Sequence, residues 1–252
     1  MTRALVLDCD GVLADTERDG HLVAFNRAFA ELGHPIEWSA TEYAALLRVG
    51  GGKERLKAYL AEHPEVDLAR GGDLDEAVRA AHLRKSEIYV ELVEQGALPG
   101  RPGVRRLVHE ALDAGWQVAV ASTSAQRSVE AVLRSVVGEE DYARVAGVFA
   151  GDVVPAKKPA PDIYLLAIDW LGRSPEEVVV VEDSAAGATA ASRAGLRHVV
   201  TVSTFTTEDE FPDASLVVDH LGEPDLPATV LAGPDVLSDK LVDVAALEAL
   251  LR

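Results

Sequence analysis

Hydrophobic and polar positions along this chain follow two different patterns. Short unbroken apolar runs stand at 4–7 (ALVL), 118–121 (VAVA), 178–181 (VVVV) and 198–202 (HVVTV). Runs of this length without polar alternation mark parallel strands buried on both faces. From about Gly100 onward they alternate with helical stretches, of which VRRLVHEALDAG and SAAGATAASRAG run to glycine stops at Gly115 and Gly195. That alternation predicts a doubly wound α/β parallel sheet. Towards the end, SLVVD at 215–219 predicts an edge strand and VDVAALEALLR a terminal helix.

Between the first and second strand the pattern changes. GHLVAFNRAFAELG, ATEYAALLRV, ERLKAYLAEH and LDEAVRAAHLRKSEIYVELVEQG all read as helix, with no strand run among them. They predict a helical domain at residues 17–96, inserted into an α/β core made of residues 1–16 and 97–252. No internal repeat or low-complexity segment is present.

Composition narrows the partners. A chain of 252 residues with 48% hydrophobic content supplies an ample core. Its net charge of -18, from 24 Lys and Arg against 42 Asp and Glu, argues against nucleic acid, which calls for a basic surface. Cys9 has no second cysteine to pair with, which points to a reducing compartment. MTRALVLD is too short for a signal-peptide apolar region, and no stretch approaches the roughly 18 apolar residues of a membrane span. A cytoplasmic protein without a membrane partner is expected, with a monomer as the starting assumption for its assembly.

Charge is concentrated in VLDCDGVLADTE, residues 6–17. Side chains two apart on a strand share a face, so Asp8 and Asp10 approach one site as the first strand ends. Two carboxylates about 4 Å apart repel by roughly 4 kcal/mol at an effective dielectric near 20. A divalent cation would compensate, and oxygen ligands suit magnesium. The plainer alternative is an acidic turn made permissive by Gly11. Cys9 lies on the opposite strand face and reads as core filler.

A second acidic pair, Glu182 and Asp183, follows VVVV, and the ends of parallel strands open on one edge of a sheet. Ser122, Thr123 and Ser124 follow another strand, and Lys158 precedes a proline in AKKPAPD. Taken alone, STS reads as a helix cap and KKP as a solvated loop. Together the four segments bring carboxylates, hydroxyls and an ammonium group, an inventory suited to one phosphoryl group on magnesium.

In order and spacing, DCDGVLADTE, VAVASTS, KKPAPDIY and VVVVEDSAAG resemble the four motifs of the haloacid dehalogenase superfamily of phosphotransferases. The resemblance implies a Rossmann-like core in which Asp8 is the nucleophile and forms an aspartyl-phosphate. Asp10 would protonate the leaving alcohol and then activate water. Ser122 would bond the transferring phosphoryl group, and Lys158 would offset charge between nucleophile and phosphate. The implied magnesium ligands are the Asp8 carboxylate, the Asp10 carbonyl and Asp183, with Glu182 as a further ligand or a support behind them.

The insertion contains RVGGGKERL at 48–56. It is not a Walker A loop, because Leu47 and Glu54 stand where that motif needs glycine and Ser or Thr. A glycine run followed by Lys53 and Arg55 could cradle an anion, or be a helix-to-helix turn with a solvated face. TERDGHLVAFN, LLRVGGGKERLKAYL and AHLRKSEIY are similar to the C1-type cap of the CbbY-like subgroup, in particular its plant-type members, and the likeness extends through FAGDVVPAKKPAPDIY. That subgroup includes xylulose-1,5-bisphosphate phosphatases. The implied substrate-binding residues are Glu17, His21, Tyr43, Gly51, Gly52, Lys53, Arg55, Arg84 and Lys85, with Thr123 and Ser124 from the core. One departure stands out: against the related β-phosphoglucomutases, TERDGH has an additional residue before its histidine, leaving Gly20 where their cap histidine falls. The expected function is a magnesium-dependent phosphatase acting on a small phosphorylated sugar, xylulose-1,5-bisphosphate foremost. The alternatives are a phosphosugar mutase and, more distantly, a noncatalytic binding or regulatory protein of the same fold.

Overall fold

The apolar runs become parallel strands. The computed structural model describes residues 2–252, and its elements divide into two compact units, residues 1–15 with 99–252, and residues 16–98. The first unit holds β1 (Ala4–Leu7), α5 (Val104–Asp113), β2 (Gln117–Ser122), α6 (Gln126–Tyr142), β3 (Gly147–Ala150) and α7 (Asp162–Leu171). It continues with β4 (Val178–Glu182), α8 (Ala185–Arg193), β5 (Arg197–Thr201), β6 (Leu216–Val218), β7 (Val230–Ala232) and α9 (Val244–Leu250). The sheet has seven strands in the order β3-β2-β1-β4-β5-β6-β7, all parallel except β7.

Strand parity sorts the core. Ala4 and Val6, Ala119 and Ala121, and Val178 and Val180 lie in one cluster with Ile163, Tyr164 and Ala167 of α7 and Ala190 and Ala191 of α8. Elsewhere α5 and α6 pack together and against β2 and β3. The edge strands are the elements with the weakest pattern. β3 (GVFA) has only its last two residues buried, and β7 (VLA) has none, so although both segments are apolar, neither has the two-sided burial of the central strands. The strand expected at the edge over 215–219 shortens to the three residues of β6 and is not an edge, because β7 pairs antiparallel along its outer side.

The second unit is helical: α1 (Val23–Glu31), α2 (Ala40–Leu46), α3 (Gly52–Glu62) and α4 (Leu74–Glu94). Its boundaries fall one and two residues from those expected. Phe25, Phe29, Trp38, Tyr43, Leu56 and Leu60 form an aromatic-rich core. Local signals start the helices, since Ser39 and Glu42 form a capping box on α2 and Asp73 caps α4 by accepting from the Glu76 N–H at 2.8 Å. A π-helical turn at Glu17–Leu22 leads into α1. A π turn closes one residue later than an α turn, and it occupies the segment where the additional residue of TERDGH lies. Gly20 is needed within it, because a Cβ there would stand 2.7 Å from the Tyr89 ring. Among the described residues no helix is long and apolar enough to cross a membrane.

Candidate active site

Strand order reverses between β1 and β4, and at such a switch point the crevice beyond the strand ends is open to ligands. The Asp8 N–H donates to the Val181 carbonyl at 2.9 Å, carrying the pairing one residue past β1. Along β4, Glu182 continues the face of Val178 and Val180, which packs on α7, so the carboxylate emerges beneath that helix. It is fully buried. The Lys158 ammonium donates to Asp8 Oδ1 at 2.6 Å, to Glu182 Oε1 at 2.6 Å and to the Ala121 carbonyl at 2.9 Å. Tyr164 of α7 donates its hydroxyl to the same Glu182 oxygen. The other oxygen of Glu182 accepts the Asp183 N–H at 3.1 Å, and Asp183 in turn accepts from the Ser203 hydroxyl at 2.6 Å.

Two glycines permit this crowding. Gly11 has φ +81°, and a Cβ there would lie 1.9 Å from Asp183 Oδ2. A Cβ at Gly187 would lie 2.0 Å from the Glu182 carboxyl group. The chain does turn at Gly11, as the acidic-turn alternative requires, but Asp8 ahead of the turn lies in a buried cluster with Glu182 and Asp183, and Asp10 is half-buried against Ser124. Nor do the hydroxyls of STS cap a helix: α6 starts from Ala125 with no side-chain cap. Ser122, which is buried, accepts the Ser124 N–H at 3.2 Å. The Ser124 hydroxyl donates to the Asp10 carboxylate, and Thr123 stands between them in the same turn. The solvated-loop alternative for KKP fails for Lys158, whose side chain is only 7% exposed.

Asp8, Glu182 and Asp183 bring ligand oxygens within 4.8 Å of one another, all buried. One ammonium cannot neutralise three carboxylates. Burial, opposed by Lys158 but reinforced by Glu182 and Asp10, pushes the Asp8 carboxyl up to about 8. Burial, with the charges of Glu182 and Asp8, holds Asp183 well above the usual carboxylate range against the Ser203 bond and Arg101. Burial acts upward on Glu182 too, yet the charge and hydrogen bonds of Lys158, with those of Tyr164 and the Asp183 amide, bring it below its ordinary value. Lys158 is correspondingly held well above its own, because Asp8 and Glu182 outweigh its desolvation. Lys158 and Glu182 thus form a lasting ion pair, and positive charge is missing between Asp8 and Asp183. An all-oxygen donor set short of positive charge fits a hard divalent cation. Without one, a carboxyl whose pKa is raised in the folded state binds its proton more tightly there than in the unfolded chain. Stability is therefore lost as pH rises from about 4 through 8. A divalent cation competes with those protons, so the thermal shift produced by saturating magnesium is expected to grow between pH 6 and 9. Differential scanning fluorimetry across that range checks this; a shift that is constant or shrinks with pH would refute it.

The helical unit gathers most of its expected residues into two clusters. In the first, the Tyr43 hydroxyl donates to Glu17 at 2.6 Å and accepts from Arg55 at 2.6 Å, with the guanidinium 5.0 Å from the Tyr43 ring centre. In the second, buried Lys85 donates to His21 Nδ1 at 2.7 Å and lies 5.1 Å from the Phe25 and Tyr89 ring centres, while His21 stacks on Tyr89 at 4.2 Å. The π turn thus leaves His21 facing the interior. The glycine run does make a helix-to-helix turn. Gly51, at φ 91°, is the residue before α3, and Gly52 opens the helix with Lys53 in its first turn. Arg84 joins neither cluster. Its guanidinium pairs with Glu31 at 2.6 Å, Glu87 at 2.9 Å and Glu91 at 3.3 Å, contacts that raise its pKa further.

Sequence reasoning passed over Tyr164, Ser203 and Arg101. Tyr164 lies inside KKPAPDIY, and Ser203 follows HVVTV directly, a strand-end hydroxyl like that of Ser122. Arg101 carries no local signal.

Residues 2–195 match the family model described as haloacid dehalogenase-like hydrolase. The chain is 44% identical over 223 residues to a CBBY-like protein of Arabidopsis thaliana, covering 88% of this chain and 70% of that one. It is 43% identical over 222 residues to the plasmid CbbY protein of Cupriavidus necator, covering 88% and 87%. Among solved structures, CbbY from Rhodobacter sphaeroides in complex with phosphate matches with a TM-score of 0.80 at 39% identity, covering 87% of this chain and 95% of that one. A mutant of that CbbY in complex with xylulose-(1,5)bisphosphate matches with a TM-score of 0.80 at 39% identity, covering 88% and 97%. The four motifs, the carboxylate–lysine cluster they build and these likenesses agree: the chain belongs to the haloacid dehalogenase-like hydrolases, on their CbbY-like branch, and is a phosphoric monoester hydrolase of that type.

Proposed function

We propose that this enzyme is a magnesium-dependent phosphatase for a small phosphorylated sugar, with xylulose-1,5-bisphosphate as its substrate. The observation that carries the chemistry is the Lys158 ammonium, held 2.6 Å from both Asp8 and Glu182 at the open end of the sheet. Lys158 keeps an anionic nucleophile and an anionic phosphate from repelling each other, and its own position is fixed by Glu182, which Tyr164 and the Asp183 amide hold in turn. An Asp8 carboxylate oxygen attacks phosphorus, forming an O–P bond as the bond from phosphorus to the sugar oxygen breaks. Asp10 gives that oxygen its proton. The resulting Asp10 carboxylate then takes a proton from water, whose oxygen displaces Asp8 and releases inorganic phosphate. Ser122 hydrogen-bonds the transferring group. Asp8, Asp183 and the Asp10 carbonyl, with Glu182 behind them, would hold magnesium, which would supply positive charge to offset that of the phosphoryl group.

The substrate assignment is supported by the likeness to a CbbY crystallised with xylulose-(1,5)bisphosphate. A second phosphate carries its own charge and needs cations of its own, and the helical unit has Lys53, Arg55 and Lys85. Lys53 stands in the first turn of α3, where the helix dipole is already positive, so an anion there would relieve both. The test is a panel of sugar mono- and bisphosphates assayed by phosphate release. Xylulose-1,5-bisphosphate should rank first by kcat/KM. Preference for a monophosphate would remove the substrate assignment, and turnover without phosphate release would remove the phosphatase. On the same panel, Lys53→Ala and Arg55→Lys are each expected to lower kcat/KM for bisphosphates by about ten- to hundredfold, the loss of one charge-assisted contact, and to leave monophosphates nearly unchanged. Arg55→Lys is chosen over truncation because the buried guanidinium also holds Tyr43. Equal losses on both substrate classes would mean that these residues support the fold of the helical unit instead.

A further inference from the structure

Arg101 lies in the core unit, and its side chain ends among strand termini. Its backbone N–H donates to the Leu13 carbonyl at 2.9 Å. One guanidinium nitrogen donates to the Gly11 carbonyl, to the Thr201 carbonyl at 3.0 Å and to the Thr201 hydroxyl at 3.2 Å. The other donates to the carbonyls of Val202 and Asp219, each at 2.7 Å. One planar cation therefore joins the loop after β1 to the ends of β5 and β6. Every acceptor it uses is a carbonyl or a hydroxyl, so its hydrogen bonds hold backbone in place rather than neutralise a carboxylate.

The backbone it holds borders the catalytic carboxylates. Gly11 follows Asp10, and its Cα faces Asp183 so closely that a Cβ would stand 1.9 Å from Oδ2. Val202 precedes Ser203, whose hydroxyl donates to that same Asp183 oxygen at 2.6 Å. Asp183 is thus flanked by two stretches, and Arg101 bonds a carbonyl in each. Its charge also favours the ionised form of Asp183.

We propose that Arg101 is a positioning residue of the active site. It fixes the loop carrying Asp8 and Asp10 to the loop carrying Ser203, and thereby sets how Asp8 and Asp183 face a shared cation. This rests on the reading of Asp183 as a magnesium ligand. A fork of fixed geometry suits the task, whereas the three donors of a lysine ammonium radiate from one atom and cannot span carbonyls on three loops.

The test compares wild type, Arg101→Lys and Ser203→Ala by steady-state kinetics and by the magnesium concentration giving half of the maximal thermal shift, a binding readout independent of turnover. Losing a residue that orients metal ligands costs about 10- to 100-fold in metal affinity or activity. Arg101→Lys should accordingly lower kcat by about tenfold or more with KM for substrate within about threefold, and raise the half-shift magnesium concentration by about tenfold. Ser203→Ala, which leaves Arg101 untouched, should raise that concentration several-fold while its melting temperature without magnesium stays near that of wild type. A folded Arg101→Lys enzyme with wild-type kcat and magnesium response, and only a lower melting temperature, would overturn the proposal. Should Arg101→Lys not fold, Ser203→Ala decides: an unchanged magnesium response overturns the relay through Asp183. No magnesium shift in wild type itself would instead bring down the ligand reading of Asp183, which separates the two failures.

Discussion

Asp8→Asn is expected to abolish phosphate release while leaving the protein folded. An amide is not a nucleophile towards phosphorus, so the loss is at least about 10⁴-fold in kcat, as for other removed covalent nucleophiles. Stability moves differently. Burial pushes the Asp8 carboxyl up to about 8, so its ionised form opposes folding across the range where the unfolded chain's aspartate has already lost its proton. The neutral amide removes that opposition. At pH 8 and above, in the absence of divalent cations, the variant should therefore melt at or above the wild-type temperature. Phosphate release and thermal unfolding measured on the same preparation check both halves. A residual rate within tenfold of wild type would end the assignment of Asp8, and a large drop in melting temperature would mean that the carboxylate braces the fold.

Lys158→Met is expected to damage both activity and stability. The ammonium is the partner shared by Asp8 and by Glu182, whose side chain is fully buried. Removing one member of a buried pair costs about 3–5 kcal/mol, because the remaining charge is left uncompensated. Loss of a preorganised cation beside the reacting phosphate lowers kcat by about 10²- to 10³-fold. The pH dependence identifies the cause. Glu182 is held below its ordinary value with Lys158 present, so the stability it contributes is in place above the unfolded pKa and disappears as pH falls through the depressed folded one. Without Lys158 that contribution is missing, and the gap in melting temperature between wild type and variant should be full near neutrality. It should close only as pH falls past the unfolded value of about 4.3 and on through the depressed value of the folded glutamate, below which the carboxyl is protonated in both states. A gap independent of pH would show that the substitution leaves only a packing defect.

What could be read from the chain alone follows from locality. Buried parallel strands leave unbroken apolar runs because both faces are covered, so β1, β2, β4 and β5 stand out in the sequence. Chemistry at strand ends is also local, since Asp8, Ser122, Lys158, Glu182 and Asp183 each lie in or just beyond a recognisable motif, and the topology of a parallel sheet sends such ends to one edge. The helical insertion is visible because its period differs from that of the strands.

Tertiary structure alone decided the rest. β3 and β7 are strands because a neighbour pairs with them, and short half-exposed edges carry no periodic signature. STS is a cap or a site depending on whether the helix after it uses those hydroxyls, and α6 does not. Lys158 is a solvated loop residue or a buried cation depending on where the chain, 150 positions on from Asp8, brings it relative to that carboxylate. Arg84 and Lys85 are adjacent in sequence, yet a step of about 100° around α4 sends one to three surface glutamates and the other to His21 and two aromatic rings. Arg101 and Ser203 gain their meaning only when loops far apart in the chain meet at Asp183. The sequence by itself determined which chemical groups the protein has at its strand ends, because periodicity and motif spacing are properties of neighbouring residues. Which of those groups are ionised, braced or diverted was decided by the folded structure, because burial and long-range hydrogen bonds exist only after the chain has closed on itself.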